Sequence, residues 1–334
     1  MNWEKRIISH AALAPYLAHQ TSSDFRARVT ALIAQQQAAW LMLREAVAGL
    51  TAVEYKKLDV GGSTVFAQFN PKRIVSTAAR VDAASIRQRP CFLCADNLPP
   101  EEQGIEFGAN FIVLCNPFPV LRNHLVITSR AHTPQAIADN FDKLLDLAQA
   151  LGPDYFALYN GPACGASAPD HLHFQACSRE LLPIVHDIAH WSGHGVSRIE
   201  GGEVFRLSDY RVNFLIARGT ERDAIIAWFD QALNQLALVS NTLDREPMLN
   251  LIVTCGQYGW TVCLFPRARH RPACYDADGS AKLTVSPAAI DLSGVVVVPE
   301  AAHFARISGE DLETIYSEVT LDEARFDAWV ARLE

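Results

Sequence analysis

The chain has 334 residues, 49% of them hydrophobic and 20% charged, with a formal net charge of −8 at pH 7. That length supports one large core or two joined lobes, and the composition is that of an ordinary globular protein. The acidic balance excludes a broad nucleic-acid or membrane surface, which would need a basic patch, whereas a small phosphorylated ligand needs only a few local donors.

No apolar run reaches the roughly 18 residues of a membrane span, and the start Met1-Asn2-Trp3-Glu4-Lys5-Arg6 lacks the apolar core of a signal peptide, so a cytoplasmic location is expected. The eight cysteines then sit in a reducing compartment, where a close pair more often binds metal or does redox work than forms a disulfide. From Ser23-Asp24 to about residue 50, Val29, Leu32, Ile33, Trp40, Leu43 and Val47 recur at helical spacing. Gln36 is the polar break in that stripe. Residues 1–52 therefore read as a helical region that packs on a sheet. Residues 53–60 and 63–70 alternate around Gly61-Gly62, a hairpin signal. Arg73 and Arg80 follow in a polar loop, as donors to a substrate phosphate or as ordinary surface arginines.

Cys91-Phe92-Leu93-Cys94 is a C-x-x-C pair. A thioredoxin-like redox role needs a helix to follow, and Asp96-Asn97-Leu98-Pro99-Pro100 blocks one, so a zinc knuckle fits better. Two thiolates need two more ligands, and with no second C-x-x-C in the chain histidines must supply them. Strand-like runs at 110–115 and 124–128 flank the turn Asn116-Pro117-Phe118-Pro119, and His132 follows the second. Residues 134–151 read as an amphipathic helix stopped by Gly152-Pro153, and 154–159 as a strand.

The small-residue loop from Asn160 through Gly165 and Ser167 to Pro169 lets backbone N–H groups approach a phosphate closely. It leads into Asp170-His171-Leu172-His173-Phe174-Gln175-Ala176, whose period of two sends His171, His173 and Gln175 to one face of a strand, neighbours about 6.5–7 Å apart. One imidazole can then be held by a partner while the next stays available to react.

His171-x-His173-x-Gln175, preceded by Asn160 and a Gly/Ser loop, resembles the signature of the transferase branch of the histidine-triad superfamily, which includes galactose-1-phosphate uridylyltransferase, diadenosine tetraphosphate phosphorylase and the GDP-hexose phosphorylases. The wording of the motif is most similar to the GDP-hexose phosphorylase version. The resemblance implies structural zinc on Cys91, Cys94, His132 and His171, with His124 competing for the third place, and His173 as the nucleophile. Four protein ligands leave no open position, so such a metal sets position rather than chemistry. The resemblance also implies an α+β fold of two histidine-triad-like halves, each an antiparallel sheet with packed helices: residues 53–200 with the zinc site and 201–334 without the catalytic motif.

His186 and His190, four apart, lack the glutamate of H-E-x-x-H and read as packing or surface residues. Further on, 250–255 echoes 110–115, and the order strand 210–217, helix 220–238, strands 249–255, 260–266 and 294–299 suits a second lobe. The strand at 294–299, where a second H-x-H is sought, has no histidine. Arg267, Arg269, His270 and Arg271 form a local basic cluster, either an anion-holding surface or a solvated loop.

Neutral imidazole is a competent nucleophile, and attack on an α-phosphorus would give a covalent nucleotidyl-histidine. Candidate donors for phosphoryl oxygens are Gln175, Asn160, Gly165, Ser167, Arg73 and Arg269. The resemblance places a third histidine at position 175 in the hydrolases. An amide there shuttles no proton and favours phosphate or a sugar phosphate over water as acceptor. The expectation is a nucleotidyltransferase or phosphorylase, monomer or homodimer, acting on a nucleotide sugar. Alternatives are a diadenosine polyphosphate phosphorylase, a hexose-1-phosphate uridylyltransferase or, in another class, a non-catalytic nucleotide binder.

Overall fold

The computed structural model describes residues 2–17, 24–78 and 82–334, so Ser23 and Arg80 lie outside the described residues. The strands are β1 (Glu54–Val60), β2 (Ser63–Phe69), β3 (Ile105–Phe107), β4 (Phe111–Cys115), β5 (Leu125–Ser129), β6 (Tyr155–Asn160) and β7 (His173–Ser178). They continue with β8 (Gly193–Ile199), β9 (Gly202–Leu207), β10 (Leu215–Gly219), β11 (Leu249–Gly256), β12 (Gly259–Pro266) and β13 (Val295–Val298). The longer helices are α1 (Phe25–Ala39), α2 (Leu41–Gly49), α3 (Phe141–Leu151), α4 (Pro183–His190), α5 (Arg222–Val239), α6 (Gly309–Val319) and α7 (Glu323–Val330). None of the described helices is long and apolar enough to cross a membrane.

The fold is α+β, with helices packed on antiparallel sheet, in two compact units that interleave along the chain. Residues 1–52 fall in the first unit and 201–334 in the second, while 53–200 is divided between them. The first unit comprises Met1–Val53, Ala79–Gln135 and Ser167–Ser178. Its strands run in the order β3-β4-β5-β7, every pair antiparallel. Helix α1 packs on β3 and β4, starting where the Asp24 carboxylate accepts from Arg26 N at 2.9 Å. Gln36 is fully buried because its Oε1 accepts from Gln103 N at 3.0 Å, so the polar break pins a loop to the helix. The helical stripe is not continuous to residue 50. Trp40 takes an extended conformation (φ −117°, ψ 103°) that buries its indole and divides α1 from α2.

The second unit comprises Glu54–Ala78, Ala136–Ala166 and Arg179–Glu334. It holds an antiparallel run β6-β11-β12-β10-β9-β8, with α3 packed on β6 and β11 and α5 on β8 and β10. Phe141 of α3 stacks on Phe229 of α5, ring centroids 3.8 Å apart. It also holds a separate three-stranded sheet in which β1 and β2 form the expected hairpin and β13 runs parallel to β2, Val295 opposite Phe66. All four valines of β13 are buried, as a parallel strand covered on both sides requires. The strand searched for a second H-x-H therefore belongs to this small sheet and is no counterpart of β7. The hairpin β8–β9 was not anticipated, because Gly193, His194 and Gly195 give it no alternating pattern.

Candidate functional site

The polar strand begins later than the motif does. His171 stands just before β7 and His173 opens it, paired with Thr128 of β5, while Gln175 pairs with Val126. Ordinary β5–β7 register thus presents the motif beside the strand that His132 follows.

Four side chains in the first unit bring one donor atom each to within 4.8 Å of one another: Cys91, Cys94, His132 and His171. Cys91 Sγ is 3.3 Å from His171 Nδ1, and Cys94 Sγ is 3.2 Å from His132 Nδ1 and 3.6 Å from His171 Nδ1. Tetrahedral zinc with ordinary Zn–S and Zn–N bonds sets S···N at about 3.5 Å, so the donor set fits. The histidines are oriented for it. His171 Nε2 donates to the Ser129 carbonyl at 2.8 Å, near Thr128 Oγ1, which leaves Nδ1 as the ligating lone pair. His132 Nε2 faces Asp170 at 3.8 Å, and Arg89 holds Asp170 at 3.1 Å. Burial, aided by the adjacent Cys91 sulfur, pushes the Cys94 thiol up to about 12, so a thiolate at Cys94 needs a cation beside it. His124 is not in this group.

His173 is 5% exposed, and its surroundings fix both its place and its proton. Its backbone N donates to Gln135 Oε1 at 2.8 Å, and its carbonyl accepts from Gln135 Nε2 at 3.0 Å. Its Nδ1–H donates to the His171 carbonyl at 2.8 Å, so Nε2 carries the lone pair. Burial pushes the imidazole down to about 4, and the ring is neutral at pH 7. Gln175 is half-buried, its Oε1 2.7 Å from His124 Nε2. His124 Nδ1 accepts from Val120 N at 3.2 Å, and Asn116 Nδ2 lies 3.3 Å from Nε2.

Sequence reasoning missed Gln135, which lies 38 positions from His173 and carries no motif of its own. It weighed His124 only as a metal ligand; the nearby turn residues were the one signal for its actual role.

The other candidates divide between the units. Ser167 is in the first, its carbonyl accepting from Arg89 at 3.2 Å. Asn160, Gly165, Arg73 and Arg269 are in the second. Asn160 Oδ1 accepts from Asn250 Nδ2 at 2.9 Å and from Ala289 N at 3.0 Å. Gly165 has φ +115°, and a Cβ there would meet Ala288 Cβ at 2.6 Å, so only glycine suits this turn. Arg73 stands where its charge favours the ionised form of buried Asp291. Arg269 is exposed and 3.8 Å from Glu318. Arg267 of the basic cluster is instead buried, donating to the Val319, Pro287, Arg269 and His270 carbonyls and to Asn250 Oδ1. His186 and His190 stack face to face at 4.2 Å rather than converging on an ion. A surface cavity of about 330 Å³ in the second unit, lined by Asp154, Arg179, Glu180 and His186 among others, contains none of the candidate residues.

Residues 32–178 match a family model described as a domain of unknown function (DUF4922), and residues 188–333 match the GDPGP1-like C-terminal domain. No curated protein sequence matches the chain. Among solved structures, yeast Ap4A phosphorylase Apa2 is similar at 14% identity, covering 84% of this chain and 96% of its own, with a TM-score of 0.58. The same yeast enzyme in complex with AMP is similar at 15% identity and a TM-score of 0.55, covering 86% of this chain and 96% of its own. In complex with Ap4A it is similar at 15% identity and a TM-score of 0.54, covering 84% and 96%. Residues 188–333 thus carry a GDPGP1-like C-terminal domain, and the chain shares the fold of the yeast phosphorylase, to which it is similar.

Proposed function

We propose that the chain is a nucleotidyltransferase that phosphorolyses a nucleotide sugar, most like a GDP-hexose phosphorylase, through a covalent nucleotidyl-histidine. The observation that carries this reading is the proton on His173: with Nδ1–H given to the His171 carbonyl, Nε2 holds the lone pair and burial keeps the ring neutral. In the first step Nε2 attacks the α-phosphorus, an N–P bond forms, and hexose 1-phosphate leaves with the electrons of the broken P–O bond. In the second an oxygen of inorganic phosphate attacks the same phosphorus, the N–P bond breaks, and the nucleoside diphosphate departs from neutral His173.

Gln175 offers amide protons to the phosphoryl oxygens, and Ser167 adds a hydroxyl donor. Within the second unit Asn160, its oxygen engaged by Asn250 and Ala289, holds the loop that carries Gly165. Cys91, Cys94, His132 and His171 would hold zinc, which with four protein ligands anchors the C-x-x-C loop to the catalytic strand. An amide in place of a third histidine supports transfer to phosphate over hydrolysis. The GDPGP1-like match supports a nucleotide sugar as donor. A second reading, a diadenosine polyphosphate donor, is favoured by the fold shared with the yeast enzyme solved with Ap4A.

The test is to mix zinc-replete protein with GDP-, UDP- and ADP-sugars and with Ap4A, without acceptor, and weigh the intact chain. A covalent mononucleotide that phosphate discharges as nucleoside diphosphate is expected, and its mass names the base. Mononucleotide released into water would make the protein a hydrolase. No adduct from any donor would make it a binder.

A further inference from the structure

The segment before α1 touches both loops that carry the outer metal ligands. Trp3 is buried in an apolar cluster with Ala95, Leu98, Ile112 and Leu114, with Ile7 at its edge. Its indole Nε1 donates to the Arg130 carbonyl at 2.9 Å, two residues before His132. Arg6 grips the other loop. Its Nε donates to the Ala95 carbonyl at 3.0 Å, Nη2 to that of Leu98 at 2.7 Å and Nη1 to that of Pro99 at 2.6 Å, all just after Cys94. The main chain is itself fixed, since Arg6 N donates to the Trp3 carbonyl, Gly104 N to that of Arg6 and Ile8 N to that of Gly104.

The four ligands are not equally protected. Cys91 and His171 are buried, whereas Cys94 is half-buried and the His132 side chain is 43% exposed. A four-coordinate ion leaves by losing ligands one at a time, so escape begins at the exposed pair. Those two loops are the ones that Trp3 and Arg6 brace.

We propose that Trp3 and Arg6 are positioning residues of the metal centre, holding the Cys94 and His132 loops at a fixed separation and so slowing the loss of bound zinc. This rests on the zinc reading above. A guanidinium presents its donors on three separate nitrogens of a rigid planar fork and so spans carbonyls of three residues, whereas an ammonium gathers its donors on a single nitrogen.

The full chain is loaded with zinc, and transfer of the ion to a chromogenic chelator is followed for wild type, Arg6→Lys, Trp3→Phe and a control, Leu236→Ala, in the core of the second unit. Arg6→Lys keeps the charge that lies near Glu102 but loses the fork; Trp3→Phe keeps an apolar ring but loses the indole donor. Both are expected to release zinc about 10-fold faster at unchanged initial stoichiometry, with the control at the wild-type rate. Should Arg6→Lys fail to fold, Trp3→Phe alone decides. Wild-type release from the folded variants, or equal acceleration in the control, overturns the proposal. Wild-type protein that binds no zinc overturns the metal reading itself, a result seen before any variant is compared.

Discussion

His124 Nε2 lies 2.7 Å from Gln175 Oε1, and a main-chain proton settles which of the two donates. Val120 N–H can only donate, so His124 Nδ1 accepts and Nε2 must carry the hydrogen. The Gln175 oxygen takes that hydrogen, and its amide nitrogen is left as the donor end. Gln175→Glu removes those donors and adds a charge that repels phosphate, so kcat should fall about 10²–10³-fold in folded protein. His124→Ala only unlocks the amide, and a loss near 10-fold is expected. Steady-state kinetics on the donor that forms the adduct measures both; equal losses would show that His124 does more than orient Gln175.

Gln175→His restores a group that can pass a proton to water. The expected outcome is a larger share of free mononucleotide relative to phosphorolysis product, read by chromatography with phosphate present. An unchanged product ratio would mean that some other feature excludes water.

Gln135→Ala leaves the buried N–H and carbonyl of His173 without the partners they have here. Each unsatisfied group costs about 1–3 kcal/mol, so the chemical-denaturation midpoint should drop clearly, and kcat should fall more than the loss of stability explains. Gln135→Glu keeps the acceptor but not the donor and should lie between.

Stripping the metal with a strong chelator, or Cys91→Ser, is expected to lower the thermal midpoint together with zinc content measured by atomic absorption. Full zinc content in Cys91→Ser would remove that thiol from the ligand set.

Glu102 gives a pH dependence of known sign. Burial pushes its carboxyl up from 4.5 to about 8 despite the nearby Arg6 charge. The folded state thus holds the proton more tightly than the unfolded chain does, and this contribution is complete below about pH 4.5 and lost as pH rises to about 8. Glu102→Gln should flatten the decline of the melting midpoint across that window and raise stability at pH 8. A wild-type midpoint that rises over the same range would contradict this assignment.

The site was legible where chemistry is local. C-x-x-C demands a tetrahedron to complete, and the family resemblance names His132 and His171 for it; the structure brings these four side chains together, with His173 two residues along from His171. What depends on residues far apart in sequence was not. Gln135 binds main chain rather than a side chain, so no residue pattern announces it, and His124 was weighed for its chemistry when its role follows from the turn that supplies Val120 N–H. The valines of β13 show the same limit from the other side, because an apolar run states that a strand is buried and not which sheet receives it.

The amide of Gln135 meets His173 as a neighbouring strand would, accepting from its N–H and donating to its carbonyl. A side chain standing in for a strand lets the ladder stop at that residue without fraying. The His173 ring therefore sits on the last rung of the β5–β7 ladder, its main chain held as firmly as at an interior position.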